Sequence, residues 1–133
     1  MKNKNLTLVA LVLMGVLALS ACDGPDSARP DASTRLPQIA LTTDPDPPTA
    51  GPVRLIAEAK DEQGQPLSDA QVLILVSHTD MSGMDQQGIA IHAGNGRYVL
   101  TVDLSGMSGE WLVTVQVRKG DVNLAQDFRI EAK

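Results

Sequence analysis

Aromatic side chains are scarce in this sequence, which contains one Phe, one Trp and one Tyr, or 2% of its 133 residues. Proteins that bind single-stranded nucleic acid stack bases on aromatic side chains. The formal net charge of −5 would in addition repel a phosphate backbone. We therefore expect no nucleic-acid partner, and we expect a hydrophobic core built from aliphatic side chains.

Groups that carry enzymatic chemistry are also scarce. The sequence has one cysteine and two histidines, and it contains no serine nucleophile elbow, HExxH motif or phosphate-binding loop. The acidic residues are scattered along segments that read as solvated faces. We therefore expect that the protein is not an enzyme.

A long hydrophobic run occurs only near the N terminus, from Leu6 to Leu19, after two lysines. This pattern is typical of a secretory signal, and the run is too short for a comfortable membrane span. It ends in Leu-Ser-Ala-Cys22, which resembles the lipobox of bacterial lipoproteins, where the chain is cut before the cysteine and the cysteine is acylated. The resemblance implies a signal peptide over 1–21 and a lipid anchor, such as palmitate, on Cys22. A free or buried thiol is the alternative for the only cysteine.

The residues after Cys22 indicate a tether. Asp23 resembles the signal that retains lipoproteins in the inner membrane of some Gram-negative bacteria. Segment 22–35 is polar and has too few hydrophobic residues to fold by itself. The expected location is therefore the periplasmic or other extracytoplasmic face of a membrane, and the folded domain is expected over 36–133.

Hydrophobic residues recur with period two beyond residue 36, as in strands with one buried face. Segment 72–76 is hydrophobic throughout and predicts a central strand, and Gly94-Asn-Gly96 predicts a tight hairpin. No segment has a helical period. Seven strands are predicted, at 38–43, 53–60, 72–76, 88–92, 97–104, 111–118 and 124–130. This pattern predicts an all-β, immunoglobulin-like antiparallel sandwich.

All three methionines beyond residue 21 fall in two predicted loops. Met81 and Met84 lie in the loop that begins with His78, and Met107 lies in Gly-Met-Ser-Gly109. Because antiparallel strands alternate in direction, these two loops should emerge at the same end of the sandwich. Thioether sulfur suits Cu(I), and imidazole suits several transition metals. The sequence thus predicts a copper(I) site formed by Met81, Met84 and Met107, with His78 as an optional fourth ligand.

A non-metal interpretation accounts for the same residues. Methionine fills irregular gaps, so the three side chains could simply cover one end of the core, and a lone His78 could be solvated. His92 lies near the opposite turn and is a poor ligand candidate. Trp111 is in phase with the hydrophobic residues of its strand, so we expect it in the core.

Several segments of the domain resemble the YtkA-like family, which is grouped with FixH-type proteins of bacterial membranes. They are Gly51-Pro-Val-Arg-Leu55, 61–64 with Pro66, Ala70-Gln-Val72, 78–84, Gly96-Arg-Tyr98 and Met107-Ser-Gly-Glu-Trp111. The resemblance implies a small extracytoplasmic β-sandwich, and FixH-type relatives are associated with maturation of haem-copper oxidases. FixH-type members usually have a transmembrane helix, whereas this sequence has a lipobox.

Two functions follow from these observations. The first is a membrane-anchored lipoprotein that binds or handles copper(I) through its Met/His loops, in metal homeostasis or oxidase maturation. The second is a metal-free interaction module whose edge strands or methionine-bearing loops dock onto another envelope protein. Metal-dependent behaviour of the domain would distinguish the first function from the second.

Overall fold

The computed structural model describes residues 37–133. In this part of the chain, segments with alternating hydrophobic and polar residues form strands. The predicted signal peptide over 1–21 and the predicted lipidated Cys22 and linker over 22–35 lie outside the described residues. None of the described residues forms a helix that is long and hydrophobic enough to cross a membrane. The strands are β1 (Gln38–Asp44), β2 (Pro52–Lys60), β3 (Gln71–His78), β4 (Gln86–Ile89), β5 (Ile91–Gly94), β6 (Arg97–Asp103), β7 (Gly109–Lys119) and β8 (Val122–Ala132).

The strands pair in two antiparallel four-stranded sheets. One sheet has the order β1-β2-β6-β5 and the other has the order β4-β3-β7-β8. This is the strand order of an immunoglobulin-like sandwich in which a strand has been added beside β3. The prediction of an all-β sandwich is confirmed.

The predicted strand at 88–92 is in fact two strands, which raises the number from seven to eight. The chain leaves the edge of one sheet at Ile89 and joins the edge of the other at Ile91. Between them, the Ala90 amide donates to the Val72 carbonyl at 2.8 Å. Gly88 lets β4 approach the opposite sheet closely, because a Cβ at this position would lie 2.7 Å from Leu100 Cδ1.

The core consists of the inward-facing side chains of both sheets, most of them Val, Leu, Ile and Ala. Trp111 and Tyr98 are the largest fully buried side chains, so the prediction that Trp111 is a core residue is confirmed. The Tyr98 hydroxyl donates to the Leu67 carbonyl at 2.8 Å and accepts from the Ala70 amide at 2.9 Å. Tyr98 thereby fixes the connection between β2 and β3.

Candidate metal centre

His78 is the last residue of β3 and lies directly across from Trp111 of β7. Its side chain is buried, with 8% exposure, and its ring packs against the Trp111 ring at a centroid distance of 4.9 Å and an interplanar angle of 79°. His78 is therefore not a solvated surface residue. The sequence did not indicate this contact, because it depends on the register between β3 and β7.

The two ring nitrogens of His78 face different loops. The Asp80 amide donates to Nδ1 at 3.1 Å, so Nδ1 has the lone pair. The ring proton then sits on Nε2, which lies 3.4 Å from the Ser108 carbonyl oxygen. Gly109 permits this approach, since a Cβ there would lie 3.2 Å from Nε2. The lone pair of His78 Nδ1 is thus directed toward the loop that contains Met81 and Met84.

The loop from Thr79 to Asp85 is anchored at both ends. Both the amide and the hydroxyl of Thr79 donate to the Glu110 carbonyl, at 3.1 and 3.0 Å. At the other end, the Gln86 side-chain amide donates to the Asp103 carbonyl at 2.5 Å and accepts from the Asp103 amide at 3.1 Å. These bonds join the ends of the loop to the first residues of β7 and to the last residue of β6 in the opposite sheet, which flank the loop that contains Met107. The prediction that both loops lie at one end of the sandwich is confirmed.

The three methionines differ in their surroundings. Met81 and Met84 lie in the middle of the anchored loop and are 46% and 43% exposed. Met107 is partly buried and packs against the core, and its amide donates to the Leu104 carbonyl at 3.4 Å. Met107 thus packs against the core as the non-metal interpretation predicts, whereas the side chains of Met81 and Met84 are exposed to solvent.

Asp103 fixes the start of the Met107 loop. Its Oδ1 accepts hydrogen bonds from the hydroxyl and the amide of Ser105. Both bonds lower the pKa of Asp103 from its ordinary value of 3.8, and the bond from the Ser105 hydroxyl lowers it more than the bond from the amide. Asp103 is thus ionised at neutral pH, where it orders the turn that positions Met107.

His78 contacts the backbone of residues next to two of the predicted methionine ligands. His78 contacts Ser108, the neighbour of Met107 in the chain, and its Nδ1 bonds to Asp80, the neighbour of Met81. His92 lies in β5 with its ring 4.9 Å from Tyr98, at the end of the sandwich opposite to His78. Within residues 37–133, no three His, Cys, Asp or Glu side chains are grouped as a metal site.

The buried Trp111 side chain has one polar atom, the indole Nε1. Among the buried side-chain nitrogen and oxygen atoms of the described residues, only Trp111 Nε1 has no hydrogen-bond partner. An unpaired buried N–H group is costly. The end of the core beneath His78 therefore contains a buried hydrogen-bond donor that has no acceptor.

A comparison with protein families identifies the chain. Residues 36–116 match the model of the YtkA-like family, whereas no curated protein matched. The matched segment includes both methionine-bearing loops, His78 and Trp111, and it ends within β7. Because the match covers more than half of the sequence, this chain belongs to the YtkA-like family.

Proposed function

We propose that this protein is a lipid-anchored protein of the cell envelope that binds copper(I) at one end of its β-sandwich. The ligands are Met81, Met84 and Met107, with His78 as the fourth. The observation that carries the proposal is the orientation of His78. Its Nδ1 lone pair faces the loop of the two exposed methionines, and its other nitrogen is fixed at the Ser108 carbonyl.

The orientation of His78 suits a metal ligand. Metal-binding histidines usually donate their second N–H to a carbonyl or carboxylate, which fixes the ring and its tautomer. Here the Nε2 proton faces the Ser108 carbonyl. A metal at Nδ1 would displace only the Asp80 amide, which belongs to an exposed loop. Binding would thus leave the core contact with Trp111 in place.

The proposed ligand set favours Cu(I) over Zn(II). Thioether sulfur is a soft ligand, whereas zinc is bound mainly by thiolate, imidazole and carboxylate. Thioethers also need no deprotonation and form no disulfides, which suits a compartment that oxidises thiols. Because all four ligands are uncharged, they leave the copper charge uncompensated. Binding should therefore be reversible, as expected for a protein that carries copper in metal homeostasis or in the maturation of haem-copper oxidases.

Copper binding is tested by anaerobic titration of residues 23–133 with Cu(I) in the presence of a competing chelator. We expect one Cu(I) per chain, much weaker binding of Zn(II), and a change in the fluorescence of Trp111, which contacts His78. The double variant Met81→Leu/Met107→Leu should lose Cu(I) binding and keep its fold, because leucine conserves the side-chain volume.

His92→Gln is the matched control, since His92 is the other histidine and lies at the opposite end of the sandwich. It should bind Cu(I) as the parent does, whereas His78→Gln should bind more weakly. If the parent binds no Cu(I), or the double leucine variant binds as well as the parent, the methionine-bearing loops are packing or docking surfaces. The metal-free interaction module would then be the better proposal, and the exposure of Met81 and Met84 supports it.

The lipid anchor is tested separately. Cys22→Ser should abolish acylation and the cleavage that accompanies it, because serine cannot form the thioether to the lipid. Metabolic labelling with a fatty acid should mark the parent and leave the variant unlabelled. Equal labelling of both proteins would show that the lipobox resemblance does not describe this chain.

A further inference from the structure

The outer face of the β4-β3-β7-β8 sheet has a hydrophobic strip along β3 and β4, where a solvated sheet face would be polar. Strand β3 is hydrophobic on both sides, a pattern typical of strands that are covered on both faces. The other sheet covers only its inner side chains, Val72, Ile74 and Val76. Leu73 and Leu75 face outward and are half-buried, and Ile89, across from Leu73, is 61% exposed.

Two shallow depressions lie along this face of β3. The first is bounded by Leu73, Ile89 and Arg118, and the second by Leu75, Thr114 and Asp85. They are adjacent, because Leu73 and Leu75 are consecutive outward-facing residues of one strand. Together they form a trough, which we define as the surface along β3 between Arg118 and Asp85.

The two ends of the trough have opposite charges. Arg118 lies across from the first residue of β3, and Asp85 precedes Gln86, which pairs with Val76 near the end of the strand. Five residues of strand separate these ends by roughly 17 Å. Neither side chain takes part in a salt bridge among residues 37–133, and the trough between them is lined only by uncharged side chains.

We propose that this face binds a second copy of the chain in a symmetric dimer. A two-fold axis between two such faces, crossing β3 near its middle, exchanges the ends of the trough. Each Arg118 then meets the partner's Asp85, and the leucines of the two copies cover one another. A surface with opposite charges at its two ends and a hydrophobic middle is self-complementary, which is the requirement of a two-fold interface.

The size of the face predicts a weak dimer. Four strands spaced by about 4.8 Å form a face roughly 20 Å wide, and the trough is roughly 17 Å long. The product of these lengths, roughly 340 Å² per copy, is below the roughly 800 Å² per partner of a standard specific interface. A weak dimer would dissociate when the protein is diluted on a sizing column. Cross-linking of the full chain in cells is therefore the better test.

The test introduces a photo-crosslinking amino acid at Gln87 of the full chain in a bacterial host that expresses two copies with different tags. Gln87 is exposed and pairs with Leu75 on the outer face. We expect a light-dependent product that contains both tags. Thr101 is the matched control, because it is an exposed polar residue on the other sheet, and it should give no such product.

Charge reversal tests the two-fold arrangement itself. In a symmetric dimer, Arg118→Glu places a glutamate opposite the partner's Asp85 at both ends of the interface. It should lower the yield of the cross-linked product at least about tenfold. Adding Asp85→Arg to Arg118→Glu should restore the yield, because the reversed pair is again complementary. The proposal is overturned if the product contains a different protein, if Thr101 cross-links as well as Gln87, or if the double reversal yields as little as the single one.

Discussion

Replacing Trp111 with alanine is expected to lower the free energy of unfolding by about 3 to 5 kcal/mol. The indole ring is 2% exposed and is among the largest fully buried side chains. The substitution would leave a cavity at the end of the core and remove the ring on which His78 packs. Such a loss is a large part of the stability of a small domain. Denaturant titration followed by circular dichroism measures the effect.

Two further variants show whether burial is the cause. Leu112→Ala changes the next residue of β7, which faces outward and is half-buried, so its effect should be no more than about 1 kcal/mol. Trp111→Phe keeps an aromatic ring and removes the unpaired Nε1–H group, so it should cost less than alanine. A denaturant midpoint that Trp111→Ala leaves unchanged would place the ring outside the core.

Replacing Gly96 with alanine is expected to destabilise the domain by about 2 to 4 kcal/mol. Gly96 has a φ of +69°, and a Cβ would lie 2.7 Å from the Ala59 carbonyl oxygen and 2.9 Å from Pro66 Cβ. The backbone there cannot move freely, because the Gly96 carbonyl accepts from the Ala59 amide and the Ala59 carbonyl accepts from the Leu67 amide. Thermal unfolding measures the loss.

Gly120→Ala separates the two causes of this loss. Gly120 has a φ of +56°, and a Cβ there would have no atom within 4 Å. The variant therefore keeps the backbone strain and omits the steric clash, and it should cost only about 1 kcal/mol. If both glycine variants were equally unstable, the close approach at Gly96 would play no part.

The sequence predicted most of the fold because the strands have one buried face. In β7, Val113, Val115 and Val117 alternate with polar residues, and this alternation indicates both the strand and its inner side. The crossing at Ala90 was not predicted, because the residues on either side of it, Ile89 and Ile91, are exposed and show no inward phase. Which sheet edge a short strand joins depends on packing, not on local periodicity.

The candidate site was predicted in outline. Strand parity was sufficient to place the loops of Met81 and Met107 at one end. The burial of His78 and the roles of its nitrogens depend on three features that the sequence pattern does not encode: the pairing of His78 with Trp111, the space left by Gly109, and the carbonyl of Ser108. The proposed role of the methionines as ligands stays a prediction.

The anchoring of the Thr79–Asp85 loop bears on how tightly a ligand could be held there. Ordering one residue of a free chain costs about 1 to 2 kcal/mol in conformational entropy, and a long free loop would lose much of its binding energy in this way. Here the bonds of Thr79 to Glu110 and of Gln86 to Asp103 already restrict the ends. Only the short stretch around Met81 and Met84 would remain to be ordered. The loop is thus preorganised, and weakening the Gln86 bonds should reduce affinity without removing any ligand.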